Sequence, residues 1–173
     1  KIDGYYAIPM DEIPKLNHSV GGVTVTLLED FQDIDRQMKK GETLALSDEQ
    51  AYHYIHDRYG VGDEKNTSRM KRQQQYMEAF FTKAKEKAKS DKAYVSQLFR
   101  KFEQTATTNL TAKKISGLTN RLIKGTQKGF FEIQGTSKIG KALGDGIDHA
   151  EFYPDKKSII DVMTKIYGLK KRE

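Results

Sequence analysis

The sequence predicts an α/β protein, a layered α-β-α sandwich with a central mixed sheet. Three observations support this: short β-branched runs alternate with helical periodicities along the chain, a half-buried strand pattern stands at 23–27, and a long amphipathic helix follows residue 68. With 173 residues, 36% hydrophobic and 31% charged, the chain is expected to form one domain, 1–173, with a core of its own. No internal repeat or low-complexity linker divides it.

Gly4 to Pro14 reads as a strand entering a helical turn near Met10 to Leu16. Gly21-Gly22 is a turn signal, and Val23, Val25 and Leu27 alternate with Thr24 and Thr26 as a strand with one buried face. These glycines serve backbone geometry, since the P-loop and dinucleotide fingerprints are both missing. Glu29, Asp30, Asp33 and Asp35 form an acidic run without the EF-hand pattern, read as a solvated loop. Ser47-Asp48-Glu49-Gln50 is a capping box opening a short helix to about Tyr54.

Residues 54–59 are then expected to be extended, which would put Tyr54, His56 and Arg58 on one side of a strand. After a loop rich in Gly, Asp and Asn, a helix starts near Ser68, with Arg69, Gln73, Tyr76 and Phe80 on one stripe and Arg72 about 60° away. Forked guanidinium donors beside an amide suit a phosphate or diphosphate, because Arg gives paired N–H donors and keeps its charge. Basic residues at a helix start are usually solvated surface charge. Here Arg69, Lys71 and Arg72 oppose the helix macrodipole, which asks for an anion to offset them. Asp63, in the loop, is either a partner that orients an arginine or a turn residue.

Met70, Met77, Phe81, Ala84 and Ala88 make a second, apolar stripe, either core or the wall of a pocket, since periodicity reports only burial. Lys83, Lys85, Lys87 and Lys89 belong to the solvent face. Ser90-Asp91 caps a helix to about Glu103, Thr107 to Thr111 is a polar break, and a helix with Ile115, Leu118 and Leu122 inward ends near Gly125. Phe130 to Ile133 is a strand candidate, Gly140 to Gly146 a loop, and Ala150 to Pro154 a last strand. Asp155 caps a final helix carrying Ile159, Ile160, Met163 and Ile166.

Lys and Arg total 30 against 24 Asp and Glu, a net +6 with pI near 9.3, so anionic partners are favoured. Cysteine is absent, which excludes disulfides, Cys-ligated zinc and Cys nucleophiles. No apolar run approaches the ~18 residues of a membrane span, and no signal peptide is present. His18, His53 and His149 lack metal-site spacing, so structural or surface roles are expected.

The run GGVTVTLLEDF, then GETLALSDEQAYHYIHDRY, then RMKRQQ resembles the LytR-CpsA-Psr family of Gram-positive cell-envelope proteins, from about Ile2 onward and more loosely over the last eighty residues. The resemblance implies transfer of a glycan phosphate from a polyprenyl diphosphate-linked donor to peptidoglycan or another wall acceptor. It implies Arg58, Arg69 and Gln73 as catalytic residues, a diphosphate grip from His56, Arg58, Arg69, Arg72 and Gln73, and a lipid pocket lined by Tyr76, Phe80 and Phe81. His56 stands where the family usually has Arg, so the grip is expected to be weaker or pH-sensitive. The resemblance further implies Mg²⁺, with its ligands upstream of Lys1 rather than in this chain, and an upstream membrane anchor holding the protein on the extracytoplasmic face. On that reading the chain is the later part of a longer domain. Two other readings stand beside it: a polyanion- or nucleic-acid-binding regulatory module without catalysis, and an inactive relic or scaffold. No DNA-binding motif is present and no aromatics interleave the basic run, so no nucleic acid is expected as partner.

Overall fold

The computed structural model describes residues 4–126 and 128–168. They form two compact units, Lys1–Gln127 and Lys128–Glu173. The class is α/β as expected, with six helices among the described residues. Its sheet component, among the described residues, is three two-stranded antiparallel ladders in place of one central mixed sheet.

In the first unit, β1 (Tyr6–Ala7) leads through a single 3-10 turn (Met10–Glu12) into α1 (Ile13–Val20). Pro14 suits the first turn of α1, where no N–H is needed, and Gly21 closes the helix at φ 77° in the left-handed region. β2 (Thr24–Thr26) follows, and its partner is β3 (Thr43–Ala45), with Val25 opposite Leu44. The alternation read for β2 holds: Val23, Val25 and Leu27 are buried between exposed threonines. β3 is only three residues long and carries no periodicity that sequence reading could use.

The acidic loop between these strands is less solvated than expected. Phe31 and Met38 turn into the core, and Glu29 turns inward as well. Ser47 and Gln50 make the reciprocal capping box predicted for them and start α2 (Asp48–His56). Here the structure corrects the sequence. Residues 54–56 are the last turn of α2, and 57–58 pair with no strand, so Tyr54, His56 and Arg58 do not share one face of a sheet. The capping box starts a helix, and Ala51, Tyr54 and Ile55 recur at helical spacing and are buried, so burial carries the helix on to His56.

α3 (Asn66–Ser90) is the long helix. Its buried line is Arg72, Tyr76, Phe80, Ala84 and Ala88, whereas Met70 and Phe81 from the expected apolar stripe are exposed. A four-residue spacing drifts about 40° per step around a helix. The buried line therefore winds, and it meets different neighbours along its length. Gln73 reaches the end of α2, Tyr76 reaches α1 and Lys83 reaches the turn at Gly22. Lys83 and Lys85 donate to the carbonyls of Gly22 and Gly125, so half of the expected solvent-facing lysine row caps other segments.

Asn17 ties this core together. It is fully buried, and its amide donates to the Leu46 carbonyl (3.0 Å) and to Asp48 (2.9 Å). Its carbonyl oxygen accepts from the Val23 amide (2.9 Å) and the Tyr76 hydroxyl (3.3 Å). Every polar atom of this buried side chain is thus matched, as burial requires. α4 (Tyr94–Lys101), β4 (Thr107–Thr108) and α5 (Ala112–Lys124) complete the unit. The polar break at 107–111 contains β4, which pairs with β1.

The second unit is a hairpin of β5 (Gly135–Gly140) and β6 (His149–Pro154), followed by α6 (Lys156–Tyr167). Phe130 to Ile133 is not a strand; the ladder begins two residues later, where Gly135 pairs with Pro154. Asp155 caps α6 as predicted, accepting from the Lys157 amide at 3.0 Å.

Candidate functional site

The C-terminal end of α2 and the first turns of α3 converge on an open cleft of about 430 Å³ lined by His56, Asp57, Arg58, Tyr59 and Arg69. Two features of the first unit hold it in shape. Gln73 donates its amide to the Ile55 carbonyl at 3.0 Å, fixing the end of α2 against α3. Arg72 lies deeper, 1% exposed at its side chain, and donates to the Asp57 carbonyl at 2.5 Å.

Arg72 is therefore a strut under the cleft and does not line it. Its guanidinium lies 3.3 Å from Glu29 and faces the rings of Phe31 (4.9 Å) and Tyr54 (5.9 Å). Burial pulls its pKa down, and the charges of Glu29, Tyr54 and Asp57 act against that shift. Glu29 in turn is crowded by Gly62, whose φ of 54° and closeness to the carboxylate leave no room for a Cβ. Tyr54 belongs to the same support. Its hydroxyl bonds to Gln75 (2.5 Å) and receives the Leu28 amide (3.3 Å), and burial pushes its pKa up to about 12.

The two remaining arginines face the cleft from different elements. Arg58 donates to the Tyr59 hydroxyl and lies 4.2 Å over that ring. Arg69 donates to Asn66 (2.7 Å) and to the His56 carbonyl (3.4 Å). Among the described residues neither is paired with a carboxylate, and the Nε–H of each is shielded from water without a hydrogen-bond partner. A guanidinium in an open cleft without a carboxylate partner leaves charge that an anion's oxygens would balance.

Asp57 is a residue the sequence reading passed over. It closes α2, and its two carboxylate oxygens accept from both nearby imidazoles: Oδ1 from His56 Nδ1 at 2.8 Å and Oδ2 from His53 Nδ1 at 2.7 Å. Burial would raise its pKa, but the hydrogen bonds from His56 and His53 outweigh it, and the carboxyl is held below its ordinary value. The signal was present in the sequence: His53 and His56 are three apart, with Asp57 at i+4 from His53, so all three meet once 53–56 is helical.

Of the residues singled out from the sequence, the structure brings His56, Arg58 and Arg69 to one cleft and sets Arg72 and Gln73 behind it. Tyr76 and Phe80 are core residues, 0% and 4% exposed, and Phe81 lies outside at 40%, so they share no open wall. Burial on α3 follows the line through Arg72, which placed the first two under the core. Asp63 is a turn residue, its carboxylate accepting from the Lys65 amide at 3.0 Å. Among the described residues no group of three His, Asp or Glu could hold a metal ion, and the Nδ1 atoms of His53 and His56 are already engaged by Asp57. The Mg²⁺ that the resemblance implies takes its ligands, on that reading, from outside these residues. Among the described residues no helix is long and apolar enough to cross a membrane.

Solved structures share this fold. The Lin1025 protein of Listeria innocua is 19% identical, with 98% of this chain and 69% of that one covered, at a TM-score of 0.69. TagV of Bacillus subtilis is 21% identical, with 96% and 63% covered, at 0.71. Protein gbs0355 of Streptococcus agalactiae is 22% identical, with 97% and 57% covered, at 0.71. The chain thus spans between 57% and 69% of the length of these three. Among curated proteins none matches it. The family model described as LytR_cpsA_psr matches residues 1–166. Proteins of that family are transferases, generally of cell-wall glycopolymer attachment, and are typically membrane-anchored and extracytoplasmic. A match over nearly the whole length establishes the relationship: the chain belongs to the LytR_cpsA_psr family.

Proposed function

We propose that this protein transfers a glycan phosphate from a polyprenyl diphosphate-linked donor to a hydroxyl of peptidoglycan or another wall acceptor, at the outer face of a membrane. The observation that carries this reading is the pair of arginines, Arg58 and Arg69, that reach one open cleft with no carboxylate partner among the described residues. Phosphoryl transfer needs positioning and charge stabilisation more than covalent chemistry from the protein. Guanidiniums placed on the diphosphate would meet the charge that builds on the departing polyprenyl phosphate. Arg72 and Gln73 act behind them as positioning residues, one through the Asp57 carbonyl and the other through that of Ile55. The wall for the polyprenyl chain is left without assigned residues, because Tyr76 and Phe80 are enclosed.

The test is Arg58→Ala in the purified protein, assayed for transfer from a lipid diphosphate-linked glycan to peptidoglycan. Loss of one such charge-stabilising donor is expected to lower kcat about 100- to 1000-fold. Turnover at the wild-type rate would remove Arg58 from the site. Pyrophosphate affinity, measured by calorimetry, is expected to weaken roughly 10-fold or more, as loss of a charged hydrogen bond does.

A further inference from the structure

We infer that His56, held by Asp57, is the proton acceptor for the attacking hydroxyl. This rests on the transfer reading above and assigns the step that the arginines cannot perform. In the transfer, the acceptor oxygen forms a bond to phosphorus while the bond from phosphorus to the polyprenyl phosphate oxygen breaks. The electron pair leaves with the polyprenyl phosphate, and the hydroxyl proton must go to a base.

The side chains lining the cleft leave one candidate. Arg58 and Arg69 keep their protons and offer no lone pair. A phenol such as Tyr59 is a donor near neutral pH, and this one already receives Arg58. Asp57 has each oxygen engaged by an imidazole Nδ1. That leaves His56. A carboxylate only accepts, so Nδ1 of the neutral His56 ring carries the hydrogen and Nε2 carries the lone pair.

The ring is fixed twice. Its Nδ1 lies 2.8 Å from Asp57, and its face stacks on Tyr52 at 4.7 Å with the planes 14° apart. Asp57 is itself fixed, by His53 at 2.7 Å and by Arg72 on its carbonyl at 2.5 Å. When the proton arrives, the carboxylate faces the imidazolium that forms, an arrangement that general-base dyads share. The charged and titratable groups around His56 are thus Tyr52, His53 and Asp57 from α2 and its end, Arg58 and Tyr59 from the loop beyond it, and Arg69 and Arg72 from α3.

The experiment measures kcat for transfer between pH 5.5 and 8.5 in the wild type, His56→Gln, His56→Arg and Asp57→Asn, with pyrophosphate affinity of each protein by calorimetry as the check on folding and on the cleft. His56→Gln and His56→Arg are expected to lose roughly 100-fold in kcat and to lose the acid limb of the pH profile. His56→Arg should bind pyrophosphate at least as well as the wild type. Asp57→Asn should lose less than His56→Gln and keep an acid limb, shifted, because the base remains but its orientation slackens. Wild-type kcat in His56→Arg across the range would overturn the proposal and make His56 a cation of the grip. A variant that turns over slowly and also loses pyrophosphate would overturn it too, since the defect would then lie in the cleft and not in proton transfer. A wild type that binds pyrophosphate but transfers nothing would remove the transfer reading itself, and this proposal with it.

Discussion

The unit Lys1–Gln127 contains every buried residue described, from Glu12 to Thr119, while none of the described residues of 128–168 is buried. Both units are built from short antiparallel strands and helices, so the difference lies in what holds them. The first is organised by a core that reaches across the sequence, with Asn17, Leu46 and Tyr76 joined through one side chain. The second rests on its hairpin ladder and on local bonds such as the Asp155 cap and the Gln134 amide donated to Ser158 at 2.8 Å. A site that must hold two arginines and a dyad in register needs the first kind of support.

The largest effect that would break this contrast is at Arg72. Arg72→Ala leaves Glu29, 13% exposed at its side chain, without its partner, and removing one member of a buried pair costs about 3–5 kcal/mol. Denaturant unfolding should show that loss, and the double change Arg72→Met with Glu29→Gln should recover much of it. A loss within 1 kcal/mol for Arg72→Ala would mean that the strut under the cleft contributes little.

Asp57 gives a smaller effect, because its side chain keeps 21% exposure. Its pKa is lower in the folded protein than its ordinary value, so its contribution is complete above the unfolded pKa of about 3.9 and is lost as pH falls through the folded value. Thermal melts between pH 5 and 2.5 should therefore separate wild type from Asp57→Asn at the upper end and bring them together at the lower end. A constant gap would show that the two imidazoles contribute nothing through its ionisation. Next in size is Ser47→Ala, which removes one half of the capping box and is expected to cost about 1 kcal/mol. No change would mean that α2, and with it the placement of His56, is held by packing alone.

The same contrast explains what was legible. Signals that act locally were readable in both units: the Ser47 box, the Asp155 cap, the strand at 23–27 and the boundaries of α3, which begins two residues before the expected Ser68. What escaped depended on contacts distant in sequence. Residues 54–59 looked extended because period-two alternation would put Tyr54, His56 and Arg58 on one side, yet Tyr54 and Ile55 face the core at helical spacing and the chain stays helical to His56. Arg72 looked peripheral because a helical wheel cannot show that Glu29, more than forty positions earlier, turns inward to meet it. Arg58 and Arg69 were singled out as forked donors suited to a phosphate, and both line one cleft although the expected strand is absent. Asp57 was missed with the helix end, since the dyad exists only if 53–56 is helical.

The smallest predicted effects belong to the second unit. Leu143 is 72% exposed and Ile139 71%. Replacing either with Ser removes little buried area, so the change in stability should fall within about 0.5 kcal/mol. Asp155→Ala should loosen the start of α6 by about 1 kcal/mol in hydrogen exchange of the Lys157 and Ser158 amides, without moving the cooperative unfolding of the first unit. If Leu143→Ser or Ile139→Ser instead lowers the midpoint of that main transition by several degrees, these side chains are covered in solution by something that the contacts within 128–168 do not supply. The second unit would then share in the cooperative core, and the contrast between the two would fail at its weakest point.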